Sequence, residues 1–161
     1  MATRTKYPVT QGIRVLRAAK VDYTPHLYTY EERGGTEVAA RELGLDEHAT
    51  LKTLIMEDEN KNPLIVLMHG DQEVSTKELA RVIGVKTIKP CAPVVANKHS
   101  GYLVGGTSPF GTRRKMPVYM EASILELPKA YINGGKRGFL VEMAPQDLIK
   151  LLEPILVRVG I

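Results

Sequence analysis

The sequence predicts an α+β fold, because several short apolar strands are mixed with short helices along a chain of 161 residues. The strands and helices do not alternate regularly, which argues against a doubly wound α/β sheet. No linker, repeat or change of composition divides the chain. We therefore expect one domain over residues 10–161, preceded by an N-terminal tail over residues 1–9.

The first third of the chain is predicted to contain a helix, a strand and a second helix. Thr10 is the predicted N-cap of a helix that ends near residue 20. Within residues 24–30, His26, Tyr28 and Tyr30 alternate with Leu27 and Thr29, a pattern that is typical of a half-buried strand. Thr36 is the predicted N-cap of a second helix, which Gly44 ends.

The central third is predicted to form a hairpin followed by a helix. Residues 51–56 and 64–68 are two apolar strands, and the polar residues 58–63 form the turn between them. The segment Ser75-Thr76-Lys77-Glu78 is a capping box that begins a helix, and Gly84 ends it.

The last third combines glycine-rich loops with short strands and two helices. The predicted elements are a helix at 93–98, a loop at 101–111, strands at 118–120, 130–132 and 139–141, and a helix from Pro145 to the residue before Pro154.

The composition excludes several classes of protein. Lys and Arg number 22 and Asp and Glu number 18, so the net charge of +4 is compatible with a polyanionic partner. A single cysteine excludes an internal disulfide and a cysteine-rich zinc site, and we expect no metal or other cofactor. Neither a signal peptide nor an apolar run of about 18 residues is present, so we expect a cytoplasmic protein with no membrane partner.

No motif in the sequence identifies a catalytic nucleophile. The four histidines are far apart and there is no Gly-x-Ser-x-Gly elbow, although the partners in a Ser-His-Asp triad can be distant in sequence. Cys91 is a candidate nucleophile, but nothing beside it would lower the pKa of its thiol. The pattern therefore favours a small, inert, half-buried thiol beside Pro90.

Lys52 is unusual because it lies inside an apolar strand, with Leu54 and Met56 on its own face. An ammonium in that position must reach water, find a partner or line a cavity. It could hold a phosphate or polarise a carbonyl. It could equally be an edge lysine that prevents aggregation, and the pattern alone leaves both interpretations open.

Two glycine-rich loops, 101–109 and 134–138, could bring backbone N–H groups close to a ligand, although each could also be an ordinary turn. Basic residues accompany both loops: Arg113, Arg114 and Lys115 follow the first, and Lys136 and Arg137 lie in the second. If the loops meet, these side chains would form a phosphate-contacting rim beside a pocket.

Three motifs in this order resemble the YbaK/EbsC family: Leu51-Lys52-Thr53-Leu54, the glycine loop from Gly101 to Gly111, and Gly134-Gly135-Lys136-Arg137-Gly138. This family consists of free-standing aminoacyl-tRNA deacylases related to the editing domain of bacterial prolyl-tRNA synthetases. The resemblance implies a mixed, barrel-like sheet surrounded by helices. It also implies hydrolysis of mischarged Cys-tRNA(Pro). The implied partners are the acceptor end of the tRNA and prolyl-tRNA synthetase.

The resemblance further implies a mechanism in which the thiolate of the substrate cysteine attacks its own ester carbonyl. Lys52 would fix the phosphate of the terminal adenosine or nearby oxygens, and the N–H groups of Gly105 and Gly106 would hold the carbonyl. The other implied site residues are Tyr30, Thr53, Pro109, Asn133 and Gly135 around the substrate, and Arg113, Arg114, Lys136 and Arg137 along the tRNA.

Two positions depart from the family pattern. Asn133 stands where many relatives have Ser, and Leu140 stands where they have Asp. An amide still donates and accepts hydrogen bonds, but leucine cannot replace a carboxylate. The specificity for cysteine is therefore left open, with a deacylase for another small aminoacyl-tRNA such as Ala-tRNA, or a non-catalytic tRNA- or synthetase-binding module, as the alternatives.

Overall fold

The computed structural model describes residues 6–161 and has the predicted α+β class. Of the predicted tail, residues 1–5 lie outside the described residues, and residues 6–9 have no regular secondary structure. The elements are α1 (Gln11–Ala18), β1 (Thr24–Leu27), α2 (Gly35–Leu43), β2 (Leu51–Asp58), β3 (Pro63–His69), α3 (Thr76–Ile83), β4 (Ile88–Pro90), α4 (Pro93–Ser100), β5 (Val118–Glu121), β6 (Ala130–Lys136), β7 (Phe139–Met143), α5 (Pro145–Leu152) and β8 (Ile155–Val157), with short 3-10 helices at Glu47–Ala49 and Ala122–Glu126. No helix in the described part of the chain is long and apolar enough to cross a membrane.

The strands form two sheets. One is antiparallel with the order β1-β7-β6, and the other is mixed with the order β4-β2-β3-β5-β8. Within residues 6–161, a parallel bridge between Thr50 and Tyr131 links them. The barrel-like arrangement that the resemblance implies is therefore, within residues 6–161, a pair of linked open sheets.

Strand β3 lies at the centre of the core, and all seven of its residues are buried. Ile65 and Leu67 belong to a hydrophobic cluster that includes α1 and the three-stranded sheet. Val66 and Met68 belong to a second cluster with α3. Because successive side chains of a strand point to opposite faces, β3 contributes to both clusters. This explains why its sequence is continuously apolar rather than alternating.

The predicted helix caps are mostly confirmed. The side-chain oxygen of Thr10 accepts from the Ile13 N–H at 3.1 Å, and that of Ser75 accepts from the Glu78 N–H at 3.3 Å. Gly84 ends α3 in the left-handed conformation, as predicted.

The prediction that Thr36 caps α2 is wrong, because that helix begins at Gly35 and its N-cap is Gly34, two residues before Thr36. The hydroxyl of Thr36 instead lies 3.1 Å from Oε2 of Glu47 and 3.2 Å from the carbonyl oxygen of Gly70. Thr36 therefore ties α2 to the end of β3 rather than capping its own helix.

Several boundaries differ from the prediction. Strand β1 ends at Leu27 rather than residue 30, and beyond it the Tyr28 N–H still donates to the Gly138 carbonyl at 2.9 Å. Helix α1 ends at Ala18 rather than near residue 20, and α4 extends to Ser100. The strands β4 and β8 are not predicted, because three residues are too few to show a periodic pattern.

We predict that Gly70→Ala destabilises the protein strongly. A Cβ at this buried position would collide with the carbonyl oxygens of Thr50 and Glu47, which are backbone atoms and cannot rotate away. We expect the free energy of unfolding in urea to fall by about 2 kcal/mol or more. The control is Gly44→Ala, where the added methyl meets nothing within 4 Å and only the left-handed backbone is strained, at about 1 kcal/mol. Equal losses in the two variants would contradict this account.

Candidate functional site

A cavity of about 740 Å³ opens between β2, the first turns of α2 and α4, and the two glycine-rich loops. This volume is within the usual range for small-molecule sites. The lining includes the charged side chains of Glu32, Arg33, Lys52 and Arg137, so cations outnumber carboxylates. The lining also includes Tyr28, Tyr30, Thr53, Cys91, Val104, Gly105 and Asn133.

The cavity reaches β2 because β4 covers only part of that strand. Strand β4 pairs with Met56–Asp58, whereas the preceding residues of β2 pair with β3 on one side only. Residues 51–55 of β2 therefore line the cavity. Lys52 lies on this half-paired segment, opposite Met68 of β3.

The two glycine-rich loops pack directly against each other. A Cβ on Gly106 would lie 2.5 Å from the backbone nitrogen of Arg137, so a side chain there would separate the loops. Gly105 has φ +94°, and a Cβ on it would lie 2.7 Å from Oη of Tyr30. Glycine is thus required at both positions for close approach, and at Gly105 also for its backbone conformation.

Asn133 holds the loops together through its side-chain amide. Its Nδ2 donates to the carbonyl oxygens of Gly105 at 3.3 Å and Lys136 at 3.2 Å. Its Oδ1 accepts from the backbone N–H groups of Gly135 at 2.6 Å and Lys136 at 3.1 Å. A serine could not make all four contacts, because a hydroxyl has only one donor hydrogen and a shorter reach.

Arg137 forms a second link between the loops. Its Nε donates to the Val104 carbonyl at 3.0 Å, and its guanidinium carbon lies 5.1 Å from the centre of the Tyr30 ring. A guanidinium at this distance is attracted to the ring face. Arg137 and Tyr30 therefore position each other at the edge of the cavity.

The ammonium of Lys52 is held in place by oxygen acceptors. Nζ donates to the Gln72 carbonyl at 2.8 Å and lies 3.4 Å from Oε1 of Glu73. The side chain of Lys52 is 23% exposed, whereas that of Glu73 is 82% exposed, so the ion pair itself contributes little to stability. An ammonium has three donors, and these two contacts leave one for a ligand.

Thr53 carries a buried hydroxyl without a hydrogen-bond partner among the described residues. Burying an unpaired hydroxyl costs free energy, so Thr53 lowers the stability of the cavity wall that it lines.

Cys91 lines the cavity but is not a reactive thiol. Burial and the nearby carboxylate of Glu57 raise the pKa of the Cys91 thiol to about 11, although Lys89 acts in the opposite direction. The thiol is therefore almost entirely protonated at neutral pH, and a protonated thiol is a poor nucleophile. No histidine lines the cavity within the described part of the chain.

Comparison with known proteins identifies the family. The family model described as "aminoacyl-tRNA editing domain" matches residues 31–151. The chain belongs to this family. Members act on aminoacyl-tRNA, so the predicted class of enzyme, a hydrolase of the aminoacyl ester bond, is confirmed.

Relatives of this editing domain occur both as free-standing proteins and inside synthetases. This chain is 27% identical over 152 residues to EbsC of Enterococcus faecalis, which is named as a candidate Cys-tRNA(Pro)/Cys-tRNA(Cys) deacylase. The match covers 94% of this chain and 93% of EbsC. This chain is 26% identical over 141 residues to the proline–tRNA ligase of Streptococcus pyogenes, where the match covers 88% of this chain but 22% of the ligase.

A solved structure shows the same fold. The crystal structure of a candidate trans-editing enzyme for prolyl-tRNA synthetase matches with a TM-score of 0.80 and 18% identity, covering 96% of this chain and 99% of that one. The fold that the resemblance implied is thereby confirmed.

The cavity of the editing domain brings together part of the predicted site. Tyr30, Lys52, Thr53, Gly105, Asn133 and Arg137 all line it. Pro109 is buried away from the lining, and Gly135 has Tyr102 and Thr10 as its close neighbours. The N–H of Gly106 donates to the Leu103 carbonyl at 2.8 Å, so it cannot hold a substrate carbonyl as expected.

Arg113 and Arg114 also lie away from the cavity. Their backbone N–H groups donate to the carbonyls of Ser100 and His99, respectively, at the end of α4. The cavity touches the beginning of that helix, at Pro93 and Ala96. Lys136 lines a neighbouring groove instead. Leu140 is buried and pairs in register with Asn133, so the missing carboxylate lies outside the cavity lining.

Sequence reasoning missed the charged wall formed by Glu32 and Arg33. These residues belong to a polar segment that the sequence indicates only as a loop, and no periodic pattern shows which way it faces. Arg33 has a positive φ of 62°, a conformation that the sequence does not signal.

We predict that Cys91 reacts slowly with iodoacetamide. At pH 8 its raised pKa leaves so little thiolate that we expect a rate at least about tenfold below that of free cysteine, and the rate should rise with pH towards 11. The control is an exposed thiol, Lys77→Cys in a Cys91→Ala background, measured in parallel. A Cys91 rate equal to that of the control at pH 8 would make the thiol a candidate nucleophile again.

Proposed function

We propose that this editing domain acts in trans on Cys-tRNA(Pro) and hydrolyses the ester between cysteine and the tRNA. The observation that carries the proposal is the cavity itself, which Lys52, Thr53 and Gly105 line and in which no residue among 6–161 is a reactive side-chain nucleophile. Its likeness to EbsC and to part of a proline–tRNA ligase supports the proposed substrate.

The proposed chemistry obtains its nucleophile from the substrate. The cysteine thiolate attacks its own ester carbonyl, a C–S bond forms, and the C–O bond to the ribose breaks as the ribose oxygen takes a proton. Water then opens the resulting thiolactone to free cysteine. Holding the thiolate and carbonyl together and stabilising the developing oxyanion would be the main tasks of the protein.

The geometry supports a distinct role for each residue of the cavity. Lys52 would bind the phosphate of the terminal nucleotide or an oxygen near the ester, because its ammonium is already oriented by Gln72. The N–H of Gly105 has no acceptor among the described residues and would hold the carbonyl oxygen. Thr53 would line the pocket beside these two groups.

The wall around these groups would position the aminoacylated nucleotide. Tyr30 would form one side, fixed by Arg137, and Asn133 would keep both glycine loops at the correct separation. Residues 10–161 would act as one unit in the cytoplasm, and prolyl-tRNA synthetase would be the protein partner that supplies mischarged tRNA.

A panel of aminoacyl-tRNAs tests this function. Purified protein should hydrolyse Cys-tRNA(Pro) well above the rate of spontaneous ester decay, and should be slower on Ala-tRNA, which lacks a thiol. Faster cleavage of Ala-tRNA would assign the domain to another small amino acid. Binding of tRNA without turnover of any panel member would show a non-catalytic module.

We predict that Lys52→Ala lowers kcat/KM for the preferred aminoacyl-tRNA by about 100-fold or more, as the loss of one charge-stabilising donor does in other enzymes. The free energy of unfolding should change by less than about 1 kcal/mol, because the exposed partner Glu73 forms only a weak ion pair. Glu73→Gln is the matched control, since it removes the ion pair and keeps the ammonium. A large loss of stability in Lys52→Ala, with little loss of activity, would mean that the lysine is structural.

A further inference from the structure

A second groove adjoins the cavity. It has a volume of about 510 Å³ and lies between the N-terminal segment Lys6–Pro8 and the second glycine loop at Lys136–Gly138. Tyr28 and Arg137 line both spaces, so the groove and the cavity are neighbours at these two residues.

The groove has a strong excess of positive charge. Lys6, Lys136 and Arg137 line it, and none of its lining residues carries a carboxylate. Within residues 6–161 none of the three forms an ion pair, whereas Arg41, Arg81 and Lys89 are each paired with a glutamate. These charges are therefore available to neutralise an anion in the groove.

Aromatic side chains accompany the cations. Tyr7 is 42% exposed, and Tyr28 lies where the groove meets the cavity. Cations along a groove that also presents aromatic rings are typical of sites for single-stranded nucleic acid, where the cations contact phosphates and the bases stack on the rings.

We propose that this groove binds the single-stranded 3′ end of the tRNA, on the nucleotides that precede the aminoacylated one. The inference rests on the proposed function, because an aminoacylated nucleotide in the cavity must continue through an opening to the rest of its strand. Lys6 and Lys136 then contact phosphates, and Arg137 marks the junction between groove and cavity. Arg113 and Arg114 lie off this path, at the far end of α4.

The test compares Lys6→Ala/Lys136→Ala with a control that loses the same charge elsewhere, Lys77→Ala/Lys150→Ala on exposed helix positions. Arg137 is left intact because it also orders the cavity. Each protein is assayed on the preferred aminoacyl-tRNA and on the matching aminoacyl-adenosine, which has the ester but no preceding phosphates. Fluorescence anisotropy measures the binding of an oligoribonucleotide that ends in CCA and carries no amino acid.

We expect the groove variant to lose about tenfold in kcat/KM on aminoacyl-tRNA, and the slope of log(kcat/KM) against log[salt] to become shallower by about 1.4, from two phosphate contacts. Its activity on aminoacyl-adenosine should equal that of the control variant. Equal losses on both substrates, or no loss relative to the control, would overturn the proposal. If the wild-type protein hydrolyses no substrate, the proposed function is wrong, and the anisotropy measurement then tests the groove proposal on its own. Loss of oligonucleotide binding in the groove variant but not in the control variant would support the groove proposal. Any other result would reject it.

Discussion

The contact between the two glycine-rich loops is the constraint on which the site depends. Asn133 bonds to backbone atoms on both loops, and Gly106 lets the backbone of Arg137 approach to within a distance that a side chain would prevent. These loops form one wall of the cavity, and β2 forms another. If the loops separated, Gly105 and Lys52 would no longer face the same space.

The proposed reaction takes its nucleophile from the substrate, and the cavity lining within residues 6–161 is consistent with this. The Cys91 thiol lies in the wall, but burial and Glu57 keep it protonated. What the cavity offers instead is the ammonium of Lys52, oriented by Gln72, and the backbone N–H of Gly105, for which the described residues provide no acceptor. Such groups cost nothing to rearrange during the reaction, because the folded protein already holds them in position. A substrate that contains its own nucleophile is the chemical complement of this wall.

The departures from the family pattern acquire a structural meaning. Asn133 makes four contacts through its amide: three order the second loop at Gly135 and Lys136, and one, to the Gly105 carbonyl, joins it to the first loop. Leu140 lies beside it in the neighbouring strand and is buried. The amide of Asn133 has its partners in the loop backbones, so an apolar residue beside it leaves no polar group of Asn133 unpaired.

The sequence by itself determined the α+β class, the hairpin of β2 and β3 and most of the caps, because these depend on neighbours in the chain. It also singled out Lys52 and both glycine loops, since a charge in an apolar strand and clustered glycines are local anomalies. Only the tertiary structure decided that the N–H of Gly106 donates to the Leu103 carbonyl and that Gly135 packs on Tyr102. It also decided that Arg137 lines the cavity, whereas Arg113 and Arg114 lie away from it. Those outcomes depend on contacts between residues far apart in sequence, and no local pattern records which distant backbone atom will accept a hydrogen bond.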